Sequence, residues 1–479
     1  MDSKPFYITT TLPYVNAEPH LGHALEFVRA DVIARYKKSL GYDVFFNTGT
    51  DEHGTKILEG AEKEGIPVQE YVDRNAARFK ELYPKLGITD DIHFIRTTDE
   101  VHIKAAQEMW KRCEANGYIY KKEYEATYCV GCELYKTDSE LVDGKCPIHP
   151  NRDVEIIKEE NYFFAFSKVA PLLEKLYEDN PTLVIPDFRF NEIKAFLDRG
   201  LEDFSISRLK SKMSWGVPVP GDDEHVMYVW FDALTSYIST LGWPDESGDF
   251  RYWKEGTPVQ YCGKDNLRQQ SAIWQGMLLA AELPHTHNII IDGFIISGGQ
   301  KMSKSIGNVI NPFDVIEMFK DATDYPEDVL RFILLHEVPS FEDGDITIES
   351  IKTAYTAYLA NGIGNLTSRI MKMVITNDVR YQTRDKRQQK EIKDFDINAA
   401  LKSIMHDIGL LDEYIATNEP FKIIKTDSEK GKEMIAHCLY SLTCIAEDLV
   451  AFLPRSSAKI LECIHENKMP EKPLFNRLP

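Results

Sequence analysis

The chain has 479 residues, too many for one ordinary hydrophobic core, so its length predicts about two to four domains. Acidic residues outnumber basic residues by 76 to 56, and the net charge of −20 argues against general coating of nucleic acid or of an anionic membrane surface. No stretch approaches the roughly eighteen apolar residues that span a bilayer, and the start, MDSKPFYITT, lacks a secretory signal, so we expect a cytosolic protein.

A strand and a helix are predicted at the start of the chain. Residues 6–12 are typical of a strand, and apolar side chains then recur at helical spacing from His20 until Gly41. The next run, YDVFFNTG, predicts a second buried strand. Because parallel strands need a crossover connection, this β-α-β order indicates a parallel sheet.

Two histidines flank a leucine-glycine pair where the first strand gives way to the first helix. His20 and His23 lie three residues apart in the first helical turn, beside the free N–H groups and the positive end of the helix dipole. Gly22 would let a planar group lie against the same turn. These features favour a nucleoside triphosphate, although an isolated H-x-x-H pair is more often a capping or surface accident, or half of a metal site.

The segment EYEATYCVGCELYKTDSELVDGKCPIHP interrupts the helical patterns near residue 122 and contains four candidate metal ligands. They are Cys129, Cys132, Cys146 and His149, two pairs spaced for a tetrahedral structural zinc site. Four protein ligands would leave no open position for catalysis, so the metal would hold the insert together. The alternatives are a redox pair or unrelated buried cysteines.

The sheet pattern then resumes and later stops. Strand-like segments follow the insert, namely HVMYVWFDAL, TPVQYCGKD and HNIIIDGFII. From about residue 351 only helical spacing remains. We therefore predict an α/β fold, a Rossmann-like doubly wound parallel sheet split by a zinc-binding insert and followed by an all-α domain.

A glycine-led loop, GGQKMSKSIGN, follows the last predicted strand. Lys301 and Lys304 occur beside Ser303 and Ser305, which suits a mobile arm that neutralises phosphate oxygens. On its own, such a loop is equally typical of solvated surface charge.

Together the motifs HLGH, residues 20–23, and KMSKS, residues 301–305, resemble the signatures of class I aminoacyl-tRNA synthetases. The segments TTLPYVNAEPHLGH, NTGTDEHG, YVWFDAL, GKDN and KMSKSIGN are similar to methionyl-tRNA synthetases along essentially the whole chain. The resemblance implies a ligase for L-methionine, ATP and tRNA(Met), with Mg²⁺ accompanying the ATP. A tRNA-binding paralogue without ligase activity and another class I synthetase are the alternatives.

The resemblance also implies roles for individual residues. Catalytic roles, stabilising charge as pyrophosphate leaves, are implied for His20, His23, Lys301 and Lys304. ATP contacts are implied for Gly22, Glu26, Gly263, Asp265, Ser303 and Ser305. Methionine contacts are implied for Leu12, Tyr14, Asp51, Trp230, Tyr237, Asn266 and Gln270.

Physical chemistry supports the methionine assignments. The Asp51 carboxylate suits the substrate ammonium, and aromatic walls suit a polarisable thioether, although core packing is the ordinary explanation for Trp230 and Tyr237. Three residues depart from the family pattern: Leu234 replaces a common proline, Asn266 an aliphatic residue and Gln270 a histidine. Glutamine can still form a hydrogen bond with a neighbouring tyrosine hydroxyl.

The family's organisation implies five regions. They are the first half of the Rossmann catalytic domain, 1–114, a connective-peptide insert with the zinc knuckle, 115–225, the second half of the catalytic domain, 226–300, the KMSKS loop and stem-contact region, 301–350, and an α-helical anticodon-binding domain, 351–479. The sequence ends with KPLFNRLP and lacks the appended C-terminal domain that makes some family members dimeric, so we expect a monomer.

The last region carries the implied anticodon contacts. Asn365 and Arg369 in GNLTSR lie on one helix face, and Phe421 stands where the family commonly has a stacking tryptophan. Phosphate contacts are predicted for basic residues, which more often serve solubility; they are Arg208, Lys210, Lys212, Arg380, Arg384, Lys386 and Arg387.

Overall fold

The computed structural model describes residues 3–16, 18–129, 134–136, 141–147, 151, 153–302, 308–382, 387 and 389–478. Several residues named above lie outside these ranges: Cys132, His149, Ser303, Lys304, Ser305, Arg384 and Lys386. For Lys301 the backbone is described and the side chain is not.

A six-stranded parallel sheet forms the centre of the fold. The strands of the described residues are β1 (Pro5–Thr10), β2 (Asp43–Thr50), β3 (His93–Arg96), β4 (Ile119–Cys129), β5 (Leu134–Lys136), β6 (Glu155–Phe164), β7 (Val184–Ile185), β8 (Phe204–Ser205), β9 (Ser207–Leu209), β10 (His225–Met227), β11 (Val259–Gly263), β12 (Asn288–Asp292), β13 (Ile295–Ser297), β14 (Gln300–Lys301) and β15 (Gly344–Asp345). The main sheet has the order β3-β2-β1-β11-β12-β7, and every neighbouring pair is parallel. This confirms the predicted parallel α/β sheet.

Helices cover both faces of the sheet. Those of the described residues are α1 (Leu21–Ser39), α2 (Thr55–Glu64), α3 (Val68–Lys85), α4 (Glu100–Ala115), α5 (Phe166–Asp179), α6 (Asp187–Asp198), α7 (Val229–Ala233), α8 (Ser236–Ser239), α9 (Arg251–Lys254), α10 (Gln275–Ala280), α11 (Pro312–Phe319), α12 (Pro326–His336), α13 (Ile348–Ala354), α14 (Asn365–Thr376), α15 (Ile397–Asn418), α16 (Pro420–Thr426), α17 (Ser428–Leu449) and α18 (Pro454–Glu466). Two further segments, Gln269–Trp274 and Tyr355–Gly364, are π-helical. Among the described residues, no helix has the length and apolar character needed to cross a membrane.

Alternating strand residues divide the core into two clusters. In β11, Val259 and Tyr261 pack with α1 and α12 on one face, whereas Cys262 packs with α4, α5 and α10 on the other. The first cluster continues into α13, α14, α15, α17 and α18. The helical C-terminal region, which the sequence correctly predicts, therefore shares one core with the sheet.

One predicted strand is wrong over most of its length. The run HVMYVWFDAL forms only the short strand β10 and then the helix α7. Phe231 packs in the apolar core and the neighbouring Asp232 is also fully buried. A short run buried on all sides has no periodicity that separates a strand from a helix, which explains the error.

The interval 115–225 contributes to more than one sheet. Strands β5, β4, β6 and β8 form an antiparallel sheet in that order, and β4 ends at Cys129. In contrast, β7 pairs in parallel with β12 at the edge of the main sheet. The interval predicted as an insert thus also supplies an edge strand between α5 and α6.

Buried charges join α1 to distant parts of the chain. Arg29 pairs with Asp292 at 3.0 Å and donates to the carbonyls of residues 338–340 at 2.7 to 3.0 Å. Asp31 pairs with Arg331 of α12 at 2.7 Å, and both side chains are fully buried. The same guanidinium donates to carbonyl oxygens of Leu86, Ala451 and Phe452. Helix α1 is therefore held against the C-terminal helices by paired, hydrogen-bonded charges.

We predict that Arg331→Met lowers the free energy of unfolding by about 3 kcal/mol, because it removes a buried cation from Asp31 and a side-chain donor from three buried carbonyl groups. The matched variant Arg74→Met loses an exposed pair with Glu64 and should leave stability nearly unchanged. Urea-unfolding midpoints of both variants test this, and equal midpoints would contradict it.

Candidate active site

A cavity of about 600 Å³ opens at the carboxyl ends of β1, β2, β11 and β12. The strand order reverses between β1 and β11, and ligands of open α/β sheets bind in the crevice at such a switch point. The N-terminus of α1 faces this crevice through His20 and His23. This arrangement is typical of nucleotide-binding α/β proteins.

The cavity wall brings together predicted residues from distant parts of the chain. They are Leu12, Tyr14, His20, Gly22, His23, Glu26, Asp51, Trp230, Tyr237, Gly263, Asp265, Asn266 and Gln270. The wall also contains residues that the sequence did not single out for this site, including Thr11, Asp292 and Phe294. Arg208, predicted as a tRNA phosphate contact, lines the cavity too, with its guanidinium 4.3 Å from the centre of the Tyr228 ring.

The two imidazoles form the cap of α1. His20 Nδ1 accepts a hydrogen bond from the Gly22 N–H at 3.1 Å, and His23 Nδ1 accepts one from the His20 N–H at 3.3 Å. The rings stack with their centres 3.7 Å apart. A Cβ atom at Gly22 would lie only 3.0 Å from the His20 ring, so glycine makes room for this cap.

The cap determines which ring nitrogen carries hydrogen. Because each Nδ1 accepts a hydrogen bond, each neutral ring carries its hydrogen on Nε2. Burial, together with the proximity of His20, holds the pKa of His23 well below its usual range. His23 is therefore a neutral N–H donor at neutral pH, and the end of α1 adds positive character to this wall.

Carboxyl groups gather at the neighbouring part of the wall. Glu26 accepts hydrogen bonds from the N–H and the hydroxyl of Thr11, both at 2.5 Å. Burial raises the pKa of Glu26 well above its usual range, Thr11 opposes the shift, and nearby Asp292 and Asp265 add to it. Burial likewise raises the pKa of Asp292 to about 6 despite its pairing with Arg29. Such groups accept hydrogen bonds from hydroxyl or amino groups of a ligand.

Asp51 lines the cavity and has one buried oxygen that is an unsatisfied acceptor. It follows β2, where its N–H donates to the Pro13 carbonyl at 2.9 Å and its own carbonyl accepts from Val15 at 3.2 Å. Its Oδ1 atom is buried and has no hydrogen-bond partner among the residues that the structure describes. Burial, and then repulsion by Asp232, raises the pKa of Asp51 well above its usual range. A ligand ammonium would satisfy this oxygen and favour its charged form.

A charged cluster behind Asp51 was not predicted from the sequence. Asp232 is fully buried and bonds to His53 Nδ1 and His102 Nε2, each at 2.6 Å. Burial opposes ionisation of Asp232, but the two histidines outweigh it and lower its pKa to about 2. The negative charge of Asp232 is thus maintained close to Asp51. Only the fold brings these three residues, from α4, α7 and the turn after β2, into contact.

Another part of the wall is aromatic and amide-rich. Gln270 Nε2 donates to the Tyr237 hydroxyl oxygen at 2.5 Å, and both side chains are buried. Leu12, Trp230 and Leu234 supply apolar surface beside them. Asn266, another of the three unusual residues, lies 3.4 Å from the Asp265 carboxylate. This wall combines the apolar surface and the few polar groups that a small-molecule site requires.

A tight hairpin leads to the lysine-rich loop. Ser297 pairs with Gln300 across Gly298 and Gly299, whose φ angles are 62° and 75°. Both glycine N–H groups donate to the Asp345 carboxylate at 2.8 Å. The two positive φ angles explain the Gly-Gly pair. The hairpin fixes the backbone of Lys301 in β14, and the described residues end at Met302 before the loop.

The remaining predicted residues lie away from the cavity. Asn365 is exposed at the start of α14, and Arg369 forms an ion pair with Asp412 of α15. Phe421 is 41% exposed near the start of α16. Arg387 pairs with Asp448 at 2.5 Å, which ties this basic residue to the helical core.

Cys129 and Cys146 lie in the antiparallel insert region. Both are fully buried, and neither belongs to the two apolar clusters that contain Cys113, Cys262 and Cys438. Among the described residues, no group of three or more His, Cys, Asp or Glu side chains could hold a metal ion. Two of the four predicted ligands fall outside those residues.

Known proteins resemble this chain along almost its full length. The family described as tRNA synthetases class I (M) matches residues 6–155 and 148–371. The methionine–tRNA ligase of Brucella suis biovar 1 is 37% identical over 490 aligned positions, covering 97% of this chain and 92% of that relative. The Thermotoga maritima methionine–tRNA ligase is 44% identical over 375 positions, covering 77% of this chain and 58% of that relative.

A solved structure gives the same answer. Mycobacterium tuberculosis methionyl-tRNA synthetase in complex with methionyl-adenylate superposes with a TM-score of 0.86 at 33% identity, covering 99% of this chain and 98% of that chain. The chain belongs to the class I tRNA synthetases and, within them, to the methionyl-tRNA synthetase family. The family that the sequence motifs indicated is confirmed.

We predict that Asp51→Asn raises the melting temperature, because a neutral amide of the same shape replaces a buried carboxyl group whose ionisation is opposed by burial and by Asp232. A raised pKa makes the folded chain bind more protons than the unfolded chain. The unmodified chain therefore loses stability as pH rises from the ordinary value of 3.8 toward the folded-state pKa.

The advantage of Asp51→Asn should consequently grow over the pH range from 3.8 to the folded-state pKa and stay constant above it. Asp265→Asn, which changes an exposed acid of the same cavity, is the matched control and should have little effect. A lower melting temperature for Asp51→Asn across this range would contradict the interpretation.

Proposed function

We propose that this chain is a methionine–tRNA ligase, which activates L-methionine with ATP and transfers it to the 3′-terminal adenosine of tRNA(Met). The observation that carries the proposal is the cavity at the switch point, which joins the capped N-terminus of α1 to the unsatisfied Asp51 oxygen. The relatives named methionine–tRNA ligase and the relative solved with methionyl-adenylate support the choice of substrate.

In the first step the Asp51 carboxylate would hold the methionine ammonium and leave the substrate carboxylate beside ATP. A carboxylate oxygen then attacks the α-phosphorus, a new oxygen–phosphorus bond forms, and the bond to pyrophosphate breaks. The Nε2–H groups of His20 and His23 would stabilise charge on the phosphates, so the rate enhancement comes from positioning and electrostatics. Mg²⁺ entering with ATP would neutralise phosphate oxygens.

The nucleotide would occupy the wall formed by the α1 N-terminus and the carboxyl groups. We assign its ATP contacts to Gly22, Glu26, Gly263 and Asp265, which share the cavity. Lys301 and Lys304, with Ser303 and Ser305, would reach the leaving pyrophosphate from the loop after the Gly298–Gly299 hairpin. Asp345 supports this loop by fixing the hairpin from which it starts.

Methionine would occupy the aromatic and amide-rich wall. We assign its contacts to Leu12, Tyr14, Asp51, Trp230, Tyr237, Asn266 and Gln270. Gly54 supports this geometry, because its φ angle is 111° and a Cβ atom there would lie 2.9 Å from the Tyr14 hydroxyl. The apolar surface would accept the thioether, whose sulfur is polarisable.

In the second step the terminal tRNA hydroxyl would attack the adenylate carbonyl and release AMP. We assign anticodon contacts to Asn365, Arg369 and Phe421, of which Phe421 offers an exposed ring for stacking. The ion pair of Arg369 with Asp412 is partly exposed, so a base could replace the carboxylate at modest cost.

We also propose that the five regions bounded at residues 114, 225, 300 and 350 act as the catalytic halves, zinc insert, stem-contact region and anticodon domain. The edge strand β7 supports one refinement, in which residues 166–201 serve the catalytic sheet. We further propose a cytoplasmic monomer, and a native mass of twice the chain at low protein concentration would contradict it.

A structural zinc ion in the insert completes the proposal. Its ligands would be Cys129, Cys132, Cys146 and His149, and it would tether the antiparallel sheet without taking part in the reaction. Two observations support the fit: Cys129 and Cys146 are buried outside the apolar clusters, and Cys146 follows a tight turn through Asp143 and Gly144.

We predict one zinc ion per purified chain and its loss in Cys146→Ser, together with a lower melting temperature, because folding of the insert is coupled to metal binding. Cys444→Ser is the matched control and should retain the metal. Elemental analysis provides a readout independent of activity. A metal-free, fully folded native chain would contradict the proposal.

Amino-acid-dependent ATP–pyrophosphate exchange across all twenty amino acids, without tRNA, tests the proposed function. We expect exchange with methionine alone. Exchange with another amino acid would overturn the substrate, and no exchange would favour a tRNA-binding paralogue.

Arg369→Gln separates the two steps in the same experiment. We expect unchanged exchange but at least a tenfold loss of tRNA(Met) charging, since ~1.4 kcal/mol of lost base contact corresponds to tenfold. Arg74→Gln, which removes an exposed ion pair with Glu64, is the matched control. Equal charging by both variants would overturn the anticodon assignment.

A further inference from the structure

A series of buried hydrogen bonds, which we call the amide relay, connects side chains away from the cavity to Tyr237. Its members are Gln275, Thr286, Gln260, Gln270 and Tyr237, each at most 3% exposed. Only Gln270 and Tyr237 reach the cavity. Gln260 lies in β11, between Val259 and Tyr261, and its side chain occupies the opposite face of the sheet from theirs.

Backbone groups determine which atom donates and which accepts in each hydrogen bond of the amide relay. The Thr286 N–H can only donate, and it donates to Gln275 Oε1 at 3.1 Å. The Gln275 amide is thereby oriented, and its Nε2 donates to the Gln270 carbonyl oxygen at 3.0 Å and to Thr286 Oγ1 at 2.9 Å. The Gln270 carbonyl can only accept, so both ends of the Gln275 amide are fixed independently.

This orientation of Gln275 determines the donor and the acceptor in each of the following hydrogen bonds. Because Thr286 Oγ1 accepts from Gln275, its own hydrogen is available for Gln260 Oε1, 2.5 Å away. Gln260 Nε2 then donates to Gln270 Oε1 at 2.7 Å, and Gln270 Nε2 donates to the Tyr237 oxygen at 2.5 Å. Reversing any one amide would place two donors or two acceptors face to face.

Because Gln270 donates to the Tyr237 oxygen, the Tyr237 hydroxyl hydrogen has no acceptor among the described residues. Among the described residues, the hydrogen bond accepted from Gln270 is the only one that the phenol oxygen makes. Burial raises the pKa of Tyr237 well above its usual range, so the phenol keeps its hydrogen. The hydrogen must then point toward the cavity that Tyr237 lines.

We propose that Gln260 is a positioning residue for substrate selection: through Gln270 it holds the Tyr237 O–H as a donor toward the sulfur of methionine. This inference rests on the proposed function, which supplies methionine as the occupant of the cavity. Thr286 and Gln275 act in the same way from farther back. A ligand with a methylene in place of the sulfur leaves the donor unsatisfied in a buried site.

The test compares methionine with norleucine, its methylene analogue, in ATP–pyrophosphate exchange. In Gln260→Met the relay is cut, the Gln270 amide is free to turn, and the phenol hydrogen can bond to Gln270 Oε1. We expect kcat/KM for methionine to fall about fivefold to tenfold, mainly through KM, with less than a twofold change for norleucine. The ratio of the two substrates is the readout, because a general packing defect lowers both together.

Thr286→Val is a second, nearly isosteric variant that interrupts the relay, because it removes the hydroxyl that donates to Gln260. It should shift the ratio in the same direction, so the test does not depend on the folding of one variant. Asn288→Leu is the matched control: it removes a buried amide from the neighbouring strand β12, bonded to the Thr182 carbonyl at 2.8 Å outside the relay.

An unchanged ratio in both relay variants, or an equal fall for both substrates, would overturn the role of Gln260 alone, provided that the unmodified chain activates methionine. Absence of methionine-dependent exchange in the unmodified chain would instead overturn the proposed function and this inference with it.

Discussion

The hydrogen-bonded cap of α1 is the constraint on which the site depends. The His20 ring satisfies the Gly22 N–H and the His23 ring satisfies the His20 N–H, so one turn of backbone fixes two side chains and their hydrogens. Farther along the helix, Arg29 and Asp31 hold α1 to the loop at residues 338–340 and to α12. Helix α1 therefore presents its N-terminus to the cavity and also connects the sheet to the C-terminal helices.

Around this helix, the cavity is lined by polar groups that lack full hydrogen bonding or are buried near other acids. Asp51 has a buried oxygen without a partner among the described residues, and burial raises the pKa values of Glu26 and Asp292. Tyr237 has a hydrogen that its neighbours direct outward. Such features reduce stability unless a ligand completes them, and their occurrence at one site is a physical indication of binding.

Local patterns in the sequence predicted the parts that depend on near neighbours. The strands beside α1 and the helical C-terminal region follow from periodicity. The residues around the crevice were instead implied by the family resemblance, and the fold brings them to one cavity. Contacts between distant segments gave no such signal: Asp232 meets His53 and His102 only in the folded chain, and β7 joins the sheet from inside the expected insert. The hydrogen bonds through Gln260 could not be predicted for the same reason, because their direction depends on the Thr286 N–H and the Gln270 carbonyl, which only the fold brings to Gln275.

We propose that this cavity forms methionyl-adenylate with the substrate ammonium on Asp51 and the thioether beside Tyr237. The most direct measurement is a crystal structure of the chain grown with methionine and ATP. We expect an ammonium nitrogen within hydrogen-bond distance of Asp51 Oδ1, the sulfur facing the Tyr237 hydroxyl, and phosphate beside the α1 N-terminus. An adenylate bound elsewhere, or one whose ammonium is remote from Asp51, would contradict it.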